Sequence, residues 1–122
     1  MSRPVPVSRL NGYVKSKLEG DEKLRDLLVS GEISNFNRNQ RSGHIYFVLK
    51  DSAAAVRAVL FRSYAASLRF APENGMKVVV RCTVSLYERD GSYQLYVREM
   101  IPDGTGALYL AYEQLKAKLA AE

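Results

Sequence analysis

The chain has 122 residues, a formal net charge of +5 and a single cysteine, Cys82. This length favours one domain with a modest core over two domains, and one cysteine excludes an intramolecular disulfide. Because the N-terminus lacks the apolar segment of a secretory signal and no apolar run approaches the length of a membrane span, the sequence predicts a cytoplasmic protein that does not contact a membrane.

The first 26 residues predict an extended segment followed by a helix. Residues 3–7 contain two prolines and are expected to be extended. Ser8 is a suitable N-cap for the helix, and three apolar residues follow at helical spacing, Leu10, Val14 and Leu18. Gly20 is expected to end the helix, and residues 21–26 are expected to form a charged connector with one helical turn.

From residue 27 the hydrophobic period changes to two, which predicts a first β-strand. One face of this strand consists of Val29, Gly31 and Ile33. Phe36 is expected on the opposite face. A glycine inside a strand indicates a bulge or a sharp coil, so we expect one at Gly31, where the sheet would bend to close. Residues 35–43 predict a polar loop, which contains Arg38 and Arg41.

Residues 42–62 predict the hairpin around which the rest of the chain is organised. One face of this hairpin is purely apolar and is expected to join the core, with Ile45, Phe47, Leu49, Val56, Ala58 and Leu60. The opposite face carries side chains that a core does not need, namely His44, Tyr46, Lys50, Arg57 and Phe61. An aromatic surface surrounded by cations suits unpaired nucleic-acid bases and their phosphates.

A short helix is expected after the hairpin, over residues 64–70, and a fourth strand over residues 76–87. Cys82 lies on the apolar face of that strand and is expected to act as a small hydrophobic residue. Residues 88–92 contain an Asp-Gly pair, which predicts a hairpin turn. A fifth strand is expected over residues 93–100, with Tyr93, Leu95 and Val97 inward and with Gln94, Tyr96 and Arg98 outward.

A last helix is expected within residues 102–122, with an apolar stripe formed by Leu108, Tyr112, Leu115 and Leu119. The pattern reaches Glu122 without a stop signal, which favours a chain that continues. The stripe also allows a homodimer through this helix.

Five strands with a short helix between the third and the fourth are the element order of a mainly β fold, the OB-fold barrel. We assign residues 1–26 to an N-terminal extension and helix, 27–101 to the barrel and 102–122 to the C-terminal helix. In this fold, strands two and three and the loops after strands one and four bind oligonucleotides or oligosaccharides. Charge indicates the same surface, because residues 36–62 carry +4 of the net charge of +5.

The expected mode of binding is base stacking combined with neutralisation of phosphates. The stacking residues would be Phe36, Tyr46 and Phe61. The phosphate-binding residues would be Arg38, Arg41, Lys50, Arg57 and Arg62. Tyr96 and Arg98 are further candidates on a neighbouring strand. His44 is either a hydrogen-bonding residue at the start of the second strand or a phosphate contact. Val48 and Val59 also point outward, so another part of the protein could cover some of this face.

The sequence predicts no catalytic site, metal site or cofactor in this chain. It has one histidine and no paired carboxylates at metal-ligand spacing. The glycine pair at residues 104 and 106 lacks the third glycine and the preceding strand of a dinucleotide site. We therefore expect no catalytic activity from this chain alone.

Several segments closely resemble the N-terminal domain of the exodeoxyribonuclease VII large subunit family. They are VSGEISNF (29–36), SGHIYFVLKD (42–51), AVLFR (58–62), NGMKVVVR (74–81), VSLYERDGSYQLYV (84–97) and PDGTGALYLAYEQLKAKLAAE (102–122). The resemblance implies an OB-fold that binds single-stranded DNA, followed by a separate catalytic region and by coiled-coil helices that recruit the exodeoxyribonuclease VII small subunit. It also implies a holoenzyme that degrades single-stranded DNA from either end without a divalent metal, with small-subunit contacts outside this chain.

Two other functions remain open from the residues themselves. The barrel face or the C-terminal stripe could be a protein-assembly module, or the barrel could bind RNA, since a pattern of cations and aromatic rings does not distinguish RNA from DNA. DNA binding predicts a strong dependence on salt, whereas assembly through the stripe predicts a weak one.

Overall fold

Five β-strands close into a barrel in the computed structural model, which describes residues 3–104 and 114. The strands are β1 (Leu27–Arg38), β2 (Ile45–Lys50), β3 (Ala55–Leu60), β4 (Lys77–Tyr87) and β5 (Ser92–Pro102). Their order around the barrel is β1-β2-β3-β5-β4, with β3 and β5 parallel and the other neighbours antiparallel. Helices α1 (Val7–Glu19) and α2 (Glu22–Arg25) precede the barrel, and α3 (Arg62–Ala65) lies between β3 and β4. The predicted five-stranded OB-fold is confirmed, whereas the predicted C-terminal stripe lies outside the described residues.

The barrel interior is formed by the alternating apolar residues that the sequence indicated. Ile45, Phe47 and Leu49 of β2 are buried, and so are Val78 and Val80 of β4. Cys82 belongs to this core, and its burial raises the pKa of the thiol to about 11. The predicted role of Cys82 as a small hydrophobic residue is thus confirmed.

Gly31 allows β1 to coil tightly between its two neighbours. It pairs with Val78 of β4, and the next residue, Glu32, pairs with both β4 and β2. A Cβ atom at Gly31 would lie 2.7 Å from Leu49 Cγ and 3.0 Å from the Lys50 carbonyl oxygen. Only a residue without a side chain fits this close approach, which confirms the predicted coil at Gly31.

The bulge of β1 lies further along the strand than predicted. Ser34 and Asn37 are paired with β2, and the two residues between them, Asn35 and Phe36, face the single residue Phe47. Asn35 adopts a φ of 51°, a conformation that asparagine tolerates better than most residues. An extra residue reverses the side-chain alternation that follows it. Phe36 therefore packs against the core, and its predicted place on the outer face is wrong.

Several predicted boundaries and orientations also change. The carbonyl of Pro6 accepts hydrogen bonds from the amides of Arg9 and Leu10, so α1 begins at Val7 and Ser8 is not its cap. The predicted loop over residues 35–43 is shorter, because β1 extends to Arg38. The helix after β3 is confined to Arg62–Ala65. Tyr93 is exposed rather than inward, because it lies at an open end of the barrel.

Helix α1 is fixed to the turn between β4 and β5. The side chain of Asn11 donates a hydrogen bond of 2.8 Å to the Glu88 carbonyl oxygen, and Lys15 Nζ lies 3.2 Å from Glu88 Oε1. Asp21 caps α2 by accepting from the amides of Lys23 and Leu24. Within the described residues, none of the helices has the length and apolar character that crossing a membrane requires.

Candidate nucleic-acid interface

A groove of about 550 Å³ crosses the outer face of β1, β2, β3 and β5. The strand register places two rows of outward residues across it. The first row is Asn37, Tyr46, Val59 and Tyr96, and the second is Ser34, Val48, Arg57 and Gln94. The rows bring together residues that are far apart in sequence, because β5 pairs with β3 in parallel. The result is a continuous surface several side chains wide.

Three aromatic rings lie in and beside the first row, those of Tyr46, Phe61 and Tyr96. Phe61, at the end of β3, stacks on Tyr96 of β5, with ring centroids 6.0 Å apart and planes inclined by 24°. Tyr46 lies on the other side of Val59, and Tyr46 and Phe61 are 43% and 38% exposed. Val59 is only 3% exposed and forms the floor between the rings. The groove therefore offers open aromatic faces above an apolar floor, which suits unpaired bases.

His44 holds one end of this aromatic surface in place. Its ring meets the ring of Phe61 edge to face, with centroids 5.1 Å apart. Its Nδ1 accepts a hydrogen bond of 2.9 Å from the amide of Arg62. This bond requires an unprotonated Nδ1, so the proton of the neutral ring lies on Nε2. His44 thus makes the hydrogen bond that the first alternative predicts and packs against Phe61, whereas its contact with phosphate stays a prediction.

Polar side chains that the sequence pattern did not indicate complete the groove. The amides of Asn35, Asn37 and Gln94 line it, with Tyr87 and Asp90 at the β4–β5 turn. The alternation of β5 already placed Gln94 outward, but the two asparagines reach the groove only because of the bulge. Amides can donate and accept hydrogen bonds at once, so these residues can meet the edges of stacked bases.

The predicted cations lie in different parts of the protein surface, and three of them are in the groove or close to it. Arg57 lines the groove, and its Nη1 lies 3.8 Å from Asp90 Oδ2. Arg62 follows Phe61 directly, and its side chain lies over Gly43, where a Cβ atom would be 2.8 Å from Arg62 Cδ. Arg41 is exposed in the turn that the Asn39 side chain stabilises by accepting from the Arg41 amide. Arg57, Arg62 and Arg41 are thus cations of the groove or of the loop beside it.

Three other predicted residues lie away from the groove. Lys50 lies four residues beyond Tyr46 and lines another cavity, where its Nζ is 3.9 Å from Glu32 Oε2. Arg38 lines a cavity beside α3 together with Arg69. Arg98 hydrogen-bonds to Asp26 and to Thr83. These three residues do not line the groove with the aromatic rings, and their role as phosphate contacts stays a prediction. Phe36 packs against the core and not in the groove.

Arg98 belongs to an ion cluster that joins the start of β1 to β4 and β5. Asp26 accepts two hydrogen bonds of 2.9 Å from Arg81, in addition to the bond from Arg98. The hydrogen bonds and charges of these arginines, Arg81 above all, hold the pKa of Asp26 below its usual value. The guanidinium of Arg98 is thus already engaged by a carboxylate, which explains why an outward arginine on β5 is not part of the groove.

No metal site accompanies the groove in the part of the chain that the structure describes. Within residues 3–104 and 114, no group of three or more histidine, cysteine, aspartate or glutamate residues is placed to hold a metal ion. The chemistry that the described groove supports is binding through rings, amides and a cation.

The closed five-stranded barrel, with an aromatic groove on its outer face, defines the class of an OB-fold domain. Residues 5–101 match the family described as "OB-fold nucleic acid binding domain". The chain belongs to this family.

The chain is also similar to longer proteins. It is 55% identical over 116 residues to the exodeoxyribonuclease 7 large subunit of Brevibacillus brevis, which covers 95% of this chain and 25% of that protein. It is 52% identical over 122 residues to the exodeoxyribonuclease 7 large subunit of Ruminiclostridium cellulolyticum, covering 100% of this chain and 30% of that protein. The predicted resemblance is confirmed, and the chain spans 25–30% of the length of these relatives.

A solved structure supports the fold. The chain superposes on a chain of a replication protein A heterotrimer bound to single-stranded DNA with a TM-score of 0.54 and 16% identity, covering 80% of this chain and 75% of that chain. At this identity the similarity establishes the OB-fold alone.

Proposed function

We propose that this chain binds single-stranded DNA in the groove, as the nucleic-acid-binding domain of an exodeoxyribonuclease VII large subunit. The observation that carries the proposal is the aromatic surface formed by Tyr46, Phe61 and Tyr96, with Arg57 beside it. Duplex DNA hides the faces of its bases inside the stack, whereas a single strand can turn them toward such rings. The surface therefore favours single strands over duplexes.

Stacking would provide most of the affinity and little sequence preference. Each base placed on an aromatic ring contributes roughly 1–3 kcal/mol, and every base has a face that can stack. The cations Arg41, Arg57 and Arg62 would neutralise phosphates along the strand. These three contacts alone contribute about −2 to the slope of log K against log salt concentration for a single strand.

Hydrolysis would take place outside this chain. The relatives are named exodeoxyribonucleases, and the chain covers 25–30% of their length. In the whole protein, the groove would present the strand to a nuclease region that degrades single-stranded DNA from both ends without a metal, and contacts with the small subunit would lie elsewhere. A cytoplasmic location stays a prediction.

The test is the fluorescence anisotropy of a labelled oligothymidine of about 15 nucleotides, within the range that one OB-fold covers. We expect salt-dependent binding by the wild type and a large loss of affinity in the variant Tyr46→Ala/Phe61→Ala. Tyr13→Ala removes an exposed tyrosine on α1 that does not line the groove, and it is the matched control.

The outcomes separate the competing functions. Equal affinity of the double variant and the wild type, with both proteins folded, would refute the groove as the binding site. Stronger competition by oligouridine than by oligothymidine would favour RNA. Shortening of the labelled oligonucleotide by the wild type, but not by the double variant, would show that the chain is itself a nuclease.

A further inference from the structure

A second basic site lies beside the groove, around α3. Arg38 and Arg69 line a cavity of about 360 Å³ with the apolar residues Leu68 and Phe70. This volume lies within the range of small-ligand pockets. The cavity is distinct from the groove, since none of the residues that line it lines the groove.

The side chain of Gln114 closes one wall of this cavity. Its Oε1 accepts a hydrogen bond of 2.7 Å from the Ala71 amide, and its Nε2 donates one of 2.8 Å to the Ala71 carbonyl. One N–H and one lone pair of this amide are thus used by the backbone. Among the described lining residues, the charged groups are the two guanidinium groups of Arg38 and Arg69.

Both arginines are exposed, and within the described residues neither makes an ion pair or a side-chain hydrogen bond. The arginines of β4 and β5 differ, because Arg81 and Arg98 are both bound to Asp26. The sequence also contains no acidic residue between positions 33 and 50 or between 52 and 72, the segments that include every described lining residue of the cavity except Gln114. Among the described residues, the lining of the cavity is therefore positively charged and its arginines have no carboxylate partner, which favours an anionic ligand.

The position of the cavity relative to the groove indicates what that ligand is. Phe61 ends the groove, Arg62 follows it at the start of α3, and Ala65 of the same helix lines the cavity. A strand that leaves the groove past Phe61 would thus meet the Arg62 side chain and then the cavity.

We propose that the cavity of Arg38 and Arg69 is a second subsite that binds the phosphodiester backbone of the strand beyond the nucleotides stacked in the groove. The two guanidinium groups bind one or two phosphates, and the apolar wall of Leu68 and Phe70 receives the attached sugar. This inference rests on the proposed function. It adds that the site size extends past the aromatic surface and that the additional contacts do not depend on sequence.

The test compares two oligomers. A labelled oligothymidine of about 5 nucleotides, near the lower limit for one OB-fold, would occupy the groove alone, and one of about 15 nucleotides would reach both sites. For Arg38→Ala/Arg69→Ala we expect weaker binding of the long oligomer. The slope of log K against log salt should also be smaller in magnitude by about 1.4, which corresponds to two lost phosphate contacts. Binding of the short oligomer should not change.

The control variant, Lys23→Ala/Lys77→Ala, removes the same charge from α2 and β4. It should bind both oligomers like the wild type. Three results would overturn the second subsite. They are equal losses of affinity in the two double variants, an equal loss of affinity for both oligomers in Arg38→Ala/Arg69→Ala, and an unchanged salt slope in that variant. If the wild type bound neither oligomer, the proposed function itself would be refuted, and the subsite with it.

Discussion

Replacing Asp90 with asparagine is expected to tighten the binding of single-stranded DNA. Asp90 is the acidic residue of the β4–β5 turn that lines the groove, and its Oδ2 lies 3.8 Å from Arg57 Nη1. A phosphate that approaches Arg57 must displace this carboxylate and is repelled by it. Asparagine keeps the shape of the side chain and removes both effects.

The geometry sets the size of the gain. The side chains of Arg57 and Asp90 are 67% and 53% exposed, and ion pairs at such exposure contribute roughly 0.2–1 kcal/mol. Repulsion between a carboxylate and a phosphate about 4 Å apart in water adds about 1 kcal/mol. Together these terms predict a dissociation constant that is roughly 7- to 30-fold lower for Asp90→Asn. The gain should shrink as salt rises, because salt screens exposed charges.

The assay is an anisotropy titration of the 15-nucleotide oligothymidine with wild type and Asp90→Asn at several salt concentrations. Glu88→Gln is the matched control, because it removes the same charge from the same turn. Glu88 pairs with Lys15 and does not line the groove. In an Arg57→Ala background, Asp90→Asn should raise the affinity only by the amount due to repulsion between carboxylate and phosphate, because no ion pair is left to break. Unchanged or weaker binding by Asp90→Asn would refute the reasoning and would indicate that the carboxylate holds Arg57 in its binding position. An equal gain in Glu88→Gln would assign the effect to net charge.

Three further predictions concern the barrel. Gly31→Ala should lower the free energy of unfolding by about 1–3 kcal/mol, measured by denaturant titration, because the new methyl group would overlap Leu49; an unchanged midpoint would contradict the close approach. The hydrogen bonds from Arg81 hold the pKa of Asp26 below its usual value, so the stability they provide is present above the unfolded-state pKa and is lost as pH falls through the folded-state pKa. Asp26→Asn should therefore lower Tm at neutral pH. A difference in Tm between wild type and variant that stayed constant down to acid pH would argue against this. Burial raises the pKa of Cys82 to about 11, so a thiol reagent at pH 8 should modify the folded protein only as fast as it opens; immediate labelling would contradict this.

The aromatic face could be predicted from sequence because it depends only on local alternation. Tyr46 and Tyr96 lie on regular stretches of β2 and β5, where every second residue points outward. Phe61 follows the regular β3 and keeps its phase. The order of the five strands then placed these three rings on one surface, since β3 lies between β2 and β5 in this barrel.

The ion pairs could not be predicted in the same way, because they depend on contacts between distant parts of the chain. Asp26 and Arg98 are 72 positions apart, and no local pattern indicates that one will hold the other. Arg57 and Arg98 are both outward cations in the sequence. The structure places Arg57 in the lining of the groove and Arg98 in the ion cluster with Asp26.

The bulge in β1 links the closure of the barrel to the composition of the groove. Without the extra residue, Phe36 would point outward and Asn37 inward, which would bury an amide and expose a ring. With it, Phe36 fills the core while Asn35 and Asn37 both line the groove. The required φ of 51° at Asn35 would strain a β-branched residue. The asparagine at position 35 thus serves two purposes: it tolerates the backbone turn that the barrel needs, and it supplies a polar wall to the surface on which bases would stack.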